Sequence, residues 1–452
     1  MNISNNIQFN STSKASPATG KQKDWTVLLY MNGNNDIEGD ILKGFLTTEE
    51  TAQHDKINML AQLGRAPQYV AHPTYKDEID GDWGGVRRYV MKKGENGDNP
   101  REVWTSLGKH DAEIDSEITA DLGKADMSSP DTLQDFLEWG MKKYPAKHYM
   151  VVLAGHGAGF LGALPDYKSK KHMSLREISD TFEEVQKNTE IKPDIVVMDA
   201  CLMAQGEAAV ELQNTGKYYI ASEDYNYNCL PMQKTLMEVE KRMDQGKDIT
   251  PEEMAGILVE QSGKFRDVPT ISSINMEKMT QFIPAVKDLA DKLLNTNTNP
   301  DTIRDIIKST RGFAENDNNV KPYSDYKDLK DLALRIAGSK NIKDPDLKKS
   351  ASHMADVMNS GLITDEAHAK ELDEDGRGEI SGLTVYIPTG GFDYDDYNFI
   401  FPGNTNKSEY EGIYRSLEFT RKTGWDKVID KYAESAKKKS RREDVLNKLI
   451  FD

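Results

Sequence analysis

Strongly apolar runs and amphipathic segments alternate through the first half of the chain. The runs at 25–31 (WTVLLYM), 148–154 (HYMVVLA) and 195–198 (IVVM) are apolar on both faces, which is typical of central strands in a parallel sheet. Residues 131–144 and 175–185 instead place their apolar side chains at helical spacing. A further strand is predicted at 218–221, and less strongly apolar strand candidates lie at 57–63 and 86–91. This alternation predicts a mostly parallel sheet covered by helices on both faces.

The second half of the chain has a different pattern. From 231 to about 361 it is almost entirely helical, interrupted by strand character at 270–274, and a late apolar strand follows at 383–387. The N-terminal residues are rich in Ser, Asn and Thr, which is typical of a flexible tail. We therefore expect a tail at 1–23, an α/β domain at 24–230, and a mostly helical region at 231–452 that contributes the late strand.

Charge and hydropathy narrow the choice of partners. With 58 Lys and Arg against 75 Asp and Glu, the formal charge of −17 at pH 7 repels phosphate backbones and anionic lipids, so we expect no nucleic-acid or membrane partner. No run reaches the ~18 to 20 apolar residues of a membrane span, and the N-terminal residues lack the apolar core of a Sec signal peptide. These features predict a cytoplasmic location or export by a non-classical route, and they leave the compartment open.

Chemically useful side chains follow two of the apolar strands. Ligands bind at the carboxyl ends of strands in open α/β sheets, and here those ends carry His156, between two glycines, and Cys201. Gly157 leaves its N–H free to approach a substrate oxygen. Cys201 precedes a helix predicted at 204–212, so we expect the helix dipole and a nearby imidazole to lower the pKa of its thiol. A nucleophile and a base on neighbouring strand ends predict a thiol acyl-transfer site.

His156 and Cys201 also allow simpler interpretations than catalysis. A single Cys is often an inert apolar side chain and a His between glycines can be a turn residue, but their joint placement favours a catalytic site.

Cys229 lies in a polar loop and is expected to be inert, and two cysteines are too few for a disulfide framework, a four-cysteine zinc site or an iron–sulfur cluster. The sequence also lacks a Gly-x-Ser-x-Gly elbow, a P-loop motif and a His-Glu-x-x-His motif.

Several segments of the chain resemble the clostripain family of cysteine peptidases. The resemblance is carried by residues 25–34, 144–149, 155–157 and 198–203, with weaker matches at 221–223, 381–388 and 423–425, and it extends from about residue 24 to residue 432. That family shares its fold group with caspases, gingipains and legumain. The resemblance therefore implies a caspase-like α/β/α sandwich with a mostly parallel central sheet and a helical C-terminal part.

The resemblance also implies roles for individual residues. His156 would act as acid and base and Cys201 as nucleophile, with the backbone N–H groups of Gly157 and Cys201 as the oxyanion hole. The family places an aspartate two residues before the cysteine, at the floor of a pocket for a basic side chain, and Asp199 matches it. Asp224, after the next strand, would form a second wall of that pocket. The alternative role for Asp199 is to cap the following helix.

An exposed segment between the histidine and cysteine blocks is a candidate processing site. Members of the family are often activated by cleavage in this interval, and here it contains Lys168, Lys170 and Lys171. An enzyme that cleaves after Lys would find its own substrate there, so we expect self-processing. A solvated loop without a role is the alternative.

Residues 373–380 resemble the first eight positions of a calcium loop. Asp373 and Asp375 would be ligands, and some clostripain-like enzymes need calcium. Arg377 nevertheless stands at a ligand position, and Thr384 replaces the final glutamate. A tight acidic turn is the favoured interpretation, so we expect no required cofactor and keep calcium as a possibility.

Together these features predict a monomeric cysteine endopeptidase that hydrolyses polypeptides after Arg or Lys. Two alternatives stay open at this point. One is a catalytically silent relative that binds peptides in the same cleft. The other is the same peptidase with a different primary specificity, because residues 225–229 depart from the family pattern.

Overall fold

The structure is a computed structural model. It describes residues 22–52, 54–66, 80–81, 83–94, 113–265, 267–313, 325–389 and 407–433. The polar tail expected at 1–23 lies outside this part except for its last two residues, and Lys23 already begins the first strand.

The described part contains the following strands and helices in chain order. The strands are β1 (Lys23–Gly33), β2 (Ile57–Arg65), β3 (Gly85–Val90), β4 (Glu117–Gly123), β5 (Ala146–Ala154), β6 (Ala163–Asp166), β7 (Lys171–Met173), β8 (Ile195–Asp199), β9 (Tyr218–Ala221), β10 (Thr270–Asn275), β11 (Gly312–Phe313), β12 (Tyr326–Asp328), β13 (Ile363–His368) and β14 (Thr384–Tyr386). The helices are α1 (Glu38–Glu49), α2 (Pro130–Lys143), α3 (Leu175–Thr189), α4 (Gly206–Glu211), α5 (Met232–Asp244), α6 (Pro251–Ser262), α7 (Met279–Asn295), α8 (Pro300–Ser309), α9 (Leu329–Gly338), α10 (Pro345–Val357), α11 (Lys370–Glu374), α12 (Lys407–Ser416) and α13 (Glu418–Thr423).

A nine-stranded sheet forms the centre of the molecule. Its order is β13-β10-β9-β8-β5-β1-β2-β3-β4, and the five strands from β9 to β2 are parallel to their neighbours. The pairs outside this parallel block, on both sides of the sheet, are antiparallel. The predicted α/β class with a mostly parallel central sheet is confirmed.

Helices cover both faces of this sheet, because its central strands are apolar on both sides. In β1, Leu28 and Tyr30 point to a core that includes residues of α2, α3 and α7, whereas Val27 and Leu29 point to a second core with residues of α1, α5 and α6. Buried residues i and i+2 of a strand share a face, so a run without polar interruptions supplies both cores at once. The result is the predicted α/β/α sandwich.

Local signals explain where several helices begin. Ser174 and Glu177 form a reciprocal capping box at the start of α3, and Pro130 occupies the first turn of α2, where its missing N–H is not needed. Predicted and observed bounds agree closely for β9, and to within a few residues for β2, β5 and β8.

Three parts of the topology differ from the simple division of the chain at residue 230. The edge strands β10 and β13 come from the C-terminal half and join the main sheet. The late strand β14 pairs with β12 in a separate three-stranded sheet. It contacts the N-terminal half through a β-bridge between Gln205 and Thr384 and through the Tyr386 N–H, which donates to Glu207 Oε1 at 3.0 Å. A short hairpin, β6–β7, was not predicted. The boundary at 230 itself stays a prediction.

Candidate active site

Two neighbouring parallel strands deliver His156 and Cys201 to the same edge of the sheet. β5 and β8 pair in register up to Ala154 and Asp199, so the residues that follow both strands leave the sheet side by side. The Gly155 N–H donates to the Asp199 carbonyl at 3.2 Å. A Cβ on Gly157 would lie 2.5 Å from the Cys201 carbonyl oxygen, so only a glycine permits this approach. The predicted oxyanion-hole residues are therefore adjacent.

A cavity of about 360 Å³ lies above these strand ends. His156, Asp199 and Cys201 line it, as the sequence predicted for a single site. Asp40 of α1 also lines it, and so do the residues of the loop 225–229. Asp224 is not among the lining residues of this cavity in the described structure.

The imidazole of His156 is held by a carboxylate that sequence reasoning missed. Its Nε2 lies 2.8 Å from Oδ1 of Asp36, and the ring stacks on Tyr167 at a centroid distance of 6.5 Å. Burial acts to raise the pKa of Asp36, but hydrogen bonds from His156 and Tyr167 and the charge of His156 outweigh it and lower that pKa. The only signal in the sequence is the polar run at 32–36 after the first strand.

The thiol of Cys201 contacts the backbone N–H and the backbone carbonyl of Asn226. Sγ accepts a hydrogen bond from the Asn226 N–H at 3.3 Å and lies 3.6 Å from the Asn226 carbonyl oxygen. Burial raises the pKa of the thiol to about 11, and the charges of Asp224 and Asp199 act in the same direction. The expected lowering by a helix dipole is wrong, because α4 begins only at Gly206 and the dipole acts over about one turn.

Asp199 is buried, and the backbone N–H of Leu230 binds its carboxylate. Both of its carboxylate oxygens accept from the Leu230 N–H, at 3.1 and 3.0 Å, and the Cys229 thiol hydrogen-bonds to it. Burial raises the pKa of Asp199 to about 7. Cys229 also lies 3.5 Å from the Asp40 carbonyl oxygen, and burial raises the pKa of its thiol well above the ordinary value, which agrees with an inert cysteine.

Asp224 makes its hydrogen bonds in and around the turn at 222–225. Its N–H donates to Thr270 Oγ1 and to Ser222 Oγ, each at 3.2 Å, and its Oδ1 accepts from the Tyr225 N–H at 2.9 Å. The loop of residues 225–230, which we call the covering loop, thus contacts both Cys201 and Asp199.

Of the three candidate processing lysines, Lys168 and Lys170 lie in the turn of the β6–β7 hairpin and Lys171 begins β7; all three are exposed. Oδ1 of Asp166 accepts from the Lys168 N–H at 2.9 Å and the Ser169 N–H at 3.0 Å, which closes the turn. Lys170 has a φ of 58°, in the left-handed region. The tip is therefore a tight turn, next to Tyr167 and hence close to His156.

The candidate calcium ligands do not fit a metal site. Oδ1 of Asp375 accepts from Arg311 Nη1 at 2.6 Å, and Oδ2 accepts from Arg377 Nε at 3.1 Å, so two guanidinium groups surround the carboxylate. The side chain of Asp373 lies outside the described part. Nowhere among the described side chains do three His, Cys, Asp or Glu residues group as metal ligands. No described helix has the length and apolar character needed to cross a bilayer.

Comparison with known proteins gives consistent matches. The sequence profile of the clostripain family matches residues 46–432. Clostripain from Hathewaya histolytica is 22% identical, with 87% of this chain and 80% of that protein covered. Among solved structures, an inactive zymogen C11 protease from Parabacteroides distasonis has a TM-score of 0.57 at 17% identity, covering 89% of this chain and 99% of that one. A secreted C11 cysteine protease from Bacteroides thetaiotaomicron, in complex with an irreversible peptide inhibitor, has a TM-score of 0.55 at 15% identity, with the same coverage.

Proposed function

Because the chain belongs to the clostripain family and is therefore a cysteine peptidase, we propose that it is an endopeptidase that cleaves after Arg or Lys through His156 and Cys201. The observation that carries this proposal is the single cavity lined by His156, Cys201 and the buried carboxylate of Asp199. A nucleophile, a base and a buried acid around one cavity match a thiol acyl transfer to a substrate with a basic side chain.

The proposed reaction follows from the roles of these groups. His156 takes the proton of the Cys201 thiol, and the sulfur attacks the scissile carbonyl carbon. The backbone N–H groups of Gly157 and Cys201 stabilise the oxyanion, and His156 then gives the proton to the leaving amine as the C–N bond breaks. Water, activated by His156, hydrolyses the thioester and restores the thiol. The close approach of Gly157 to the Cys201 carbonyl oxygen brings the backbones of the two proposed donor residues side by side.

Two carboxylates support a basic primary specificity. Asp199 is buried and lines the cavity, and Asp40 lines the same cavity, whereas Asp224 hydrogen-bonds within the turn at 222–225. A buried carboxylate gains most from a cationic partner, because a charge in a poorly solvated site needs a counter-charge. Asp40 is therefore the second acidic wall in this conformation, and Asp224 can take that role only if the covering loop moves.

The test is hydrolysis of fluorogenic peptides that differ only in the residue before the cleaved bond, with Cys201→Ala as the control. Turnover confined to Arg and Lys, and abolished in Cys201→Ala, is the expected result. Turnover confined to another residue would support the alternative specificity. Asp199→Asn is expected to lower kcat/KM for Arg and Lys peptides about 10- to 100-fold, the usual effect of losing a charged hydrogen bond. Unchanged selectivity in that variant would contradict the assigned pocket.

The described conformation is a latent one. The covering loop contacts the Cys201 thiol, whose pKa is raised by burial, and its Leu230 N–H binds Asp199, so a substrate reaches both groups only after the loop moves. One solved structure with this fold is an inactive zymogen. Self-cleavage after Lys168, Lys170 or Lys171 would activate the enzyme, and the hairpin turn must open first because peptidases bind extended chains.

Intact-mass measurement during incubation tests this activation. Wild type is expected to split into two fragments with a cut at 168–171 as activity rises, and Cys201→Ala is expected to stay intact unless active enzyme is added. Lys168→Gln, Lys170→Gln and Lys171→Gln together should prevent the cut. The control replaces three other exposed lysines together, in Lys187→Gln, Lys241→Gln and Lys264→Gln. This control variant should still be cut at 168–171. Full activity of intact wild type would refute the requirement for processing.

A further inference from the structure

We propose that Asp36 is a positioning residue that holds Nε2 of His156, so that Nδ1 is the nitrogen that exchanges protons with the thiol and the leaving amine. This inference rests on the proposed peptidase function, and it adds a third residue to the pair. The distance of 2.8 Å between Nε2 and Oδ1 of Asp36 is its starting point.

The topology explains why these two residues meet although 120 positions separate them. β1 and β5 are parallel neighbours, and Met31 pairs with Ala154 near their carboxyl ends. Asp36 follows β1 by three residues and His156 follows β5 by two, so both side chains leave the sheet at the same edge. No hydrogen bond to Nδ1 of His156 occurs within the described residues, and that nitrogen is the one left for the reaction.

The segment that carries Asp36 is anchored by asparagine side chains. Nδ2 of Asn32 donates to the Pro165 carbonyl at 3.1 Å, and Nδ2 of Asn35 donates to the same carbonyl at 3.2 Å. Oδ1 of Asn35 in turn accepts from the Ile37 N–H at 3.1 Å. These bonds fix the backbone on both sides of Asp36 to the start of the β6–β7 hairpin.

Tyr167, on the same hairpin, fixes the side chain of Asp36. Its hydroxyl hydrogen-bonds to the Asp36 carboxylate, and its ring lies nearly parallel to the imidazole, at 9°. One residue of the hairpin therefore contacts both members of the pair. A carboxylate fixed in this way orients the imidazole, selects its tautomer, and stabilises the imidazolium that forms when the thiol is deprotonated.

Titratable groups near His156 come from three elements. Asp36 lies at the carboxyl end of β1, Asp40 on α1, and the thiol of Cys201 after β8. Asp36 is the one whose carboxylate contacts the ring in the described structure, whereas Asp40 acts at longer range. This arrangement makes Asp36, and not Asp40, the residue whose removal should change the orientation of the ring.

The kinetic test compares Asp36→Asn, Asp36→Glu and Tyr167→Phe after activation. Asp36→Asn keeps the shape and removes the charge, so kcat is expected to fall about 10- to 100-fold while KM changes less than about twofold. Asp36→Glu should recover part of the loss, and Tyr167→Phe should lose less than Asp36→Asn. Asp244→Asn is the matched control, because Asp244 lies 3.6 Å from Nε2 of His54, a histidine as buried as His156. Equal kcat values for wild type and Asp36→Asn would overturn the proposal.

A second measurement does not depend on turnover. In protein labelled with ¹⁵N-histidine, neutral His156 is expected to carry its proton on Nε2, with a low-field proton signal that is present in Cys201→Ala and absent in Asp36→Ala. A proton on Nδ1, or a signal that persists in Asp36→Ala, would overturn the proposal. If wild type hydrolyses no peptide yet shows the Nε2 signal, the peptidase function fails while the positioning contact stands.

Discussion

The substitution Gly157→Ala tests the geometry of the site most directly. A Cβ at this position would lie 2.5 Å from the Cys201 carbonyl oxygen, 2.9 Å from Cβ of Ala200 and 3.0 Å from Cγ of Met203. Real Cβ contacts essentially never fall below 3.0 Å, so the two strand ends must separate by roughly half an ångström or more. The obstacle is backbone and not a flexible side chain, so a rotamer change cannot relieve it.

The expected effects on activity and on stability differ in size. Overpacking of this kind costs about 1–3 kcal/mol, which in a chain of this length lowers Tm by only a few degrees. A displacement of about 1 Å between reacting groups costs about 100-fold in rate, so kcat/KM should fall about 10- to 100-fold. Activity should therefore be lost from protein that remains folded.

The assay is peptide hydrolysis together with thermal unfolding of the same preparations. Gly412→Ala is the matched control, because a Cβ at that helical position would meet no described atom within 4 Å apart from its own stretch of helix. It should leave both kcat/KM and Tm close to those of wild type. If Gly157→Ala keeps kcat/KM within about threefold of wild type, the assigned contact between the oxyanion-hole residues is refuted.

Two further predictions follow from the perturbed pKa values. Burial raises the pKa of Asp199 to about 7, so the folded protein binds a proton there that the unfolded chain has released, and its stability falls as the pH rises from about 4 to about 7. Asp199→Asn cannot ionise and should raise Tm at pH 8 but not at pH 4; equal shifts at both pH values would contradict this. Burial raises the pKa of Cys201 to about 11, so in unprocessed Cys229→Ala protein the alkylation rate with iodoacetamide should still be rising at pH 10. A plateau below pH 8 would show that the thiol is already poised.

The sequence pattern identified the strands that are buried on both faces. β1, β5 and β8 are apolar on both faces because each is covered by helices on both sides, and such an apolar run can be read directly from the sequence. The edge strand β4 was missed because it is largely exposed and mixes polar with apolar residues. The assignment of β10 and β13 to the main sheet depends on pairing between distant segments, which no local pattern records.

The candidate site was predictable in part for the same reason. His156 and Cys201 each follow an apolar strand directly, and parallel strands bring their carboxyl ends to one edge. Asp36 was missed because its contact with His156 depends on the register of β1 against β5. The poor fit of Asp375 to calcium was indicated by Arg377 in the sequence, but its pairing with Arg311 was not.

The sequence by itself thus determined the class of fold, the family, and the two residues expected to form and break bonds. The burial of one face or both faces of an element is set within a short stretch of chain, so it leaves a readable pattern in the sequence. Only the tertiary structure decided the state of the site: a thiol whose pKa is raised by burial, an aspartate bound by Leu230, and an imidazole that contacts Asp36. Solvation and hydrogen bonding of a side chain depend on whatever the fold brings next to it, and those neighbours come from remote parts of the chain.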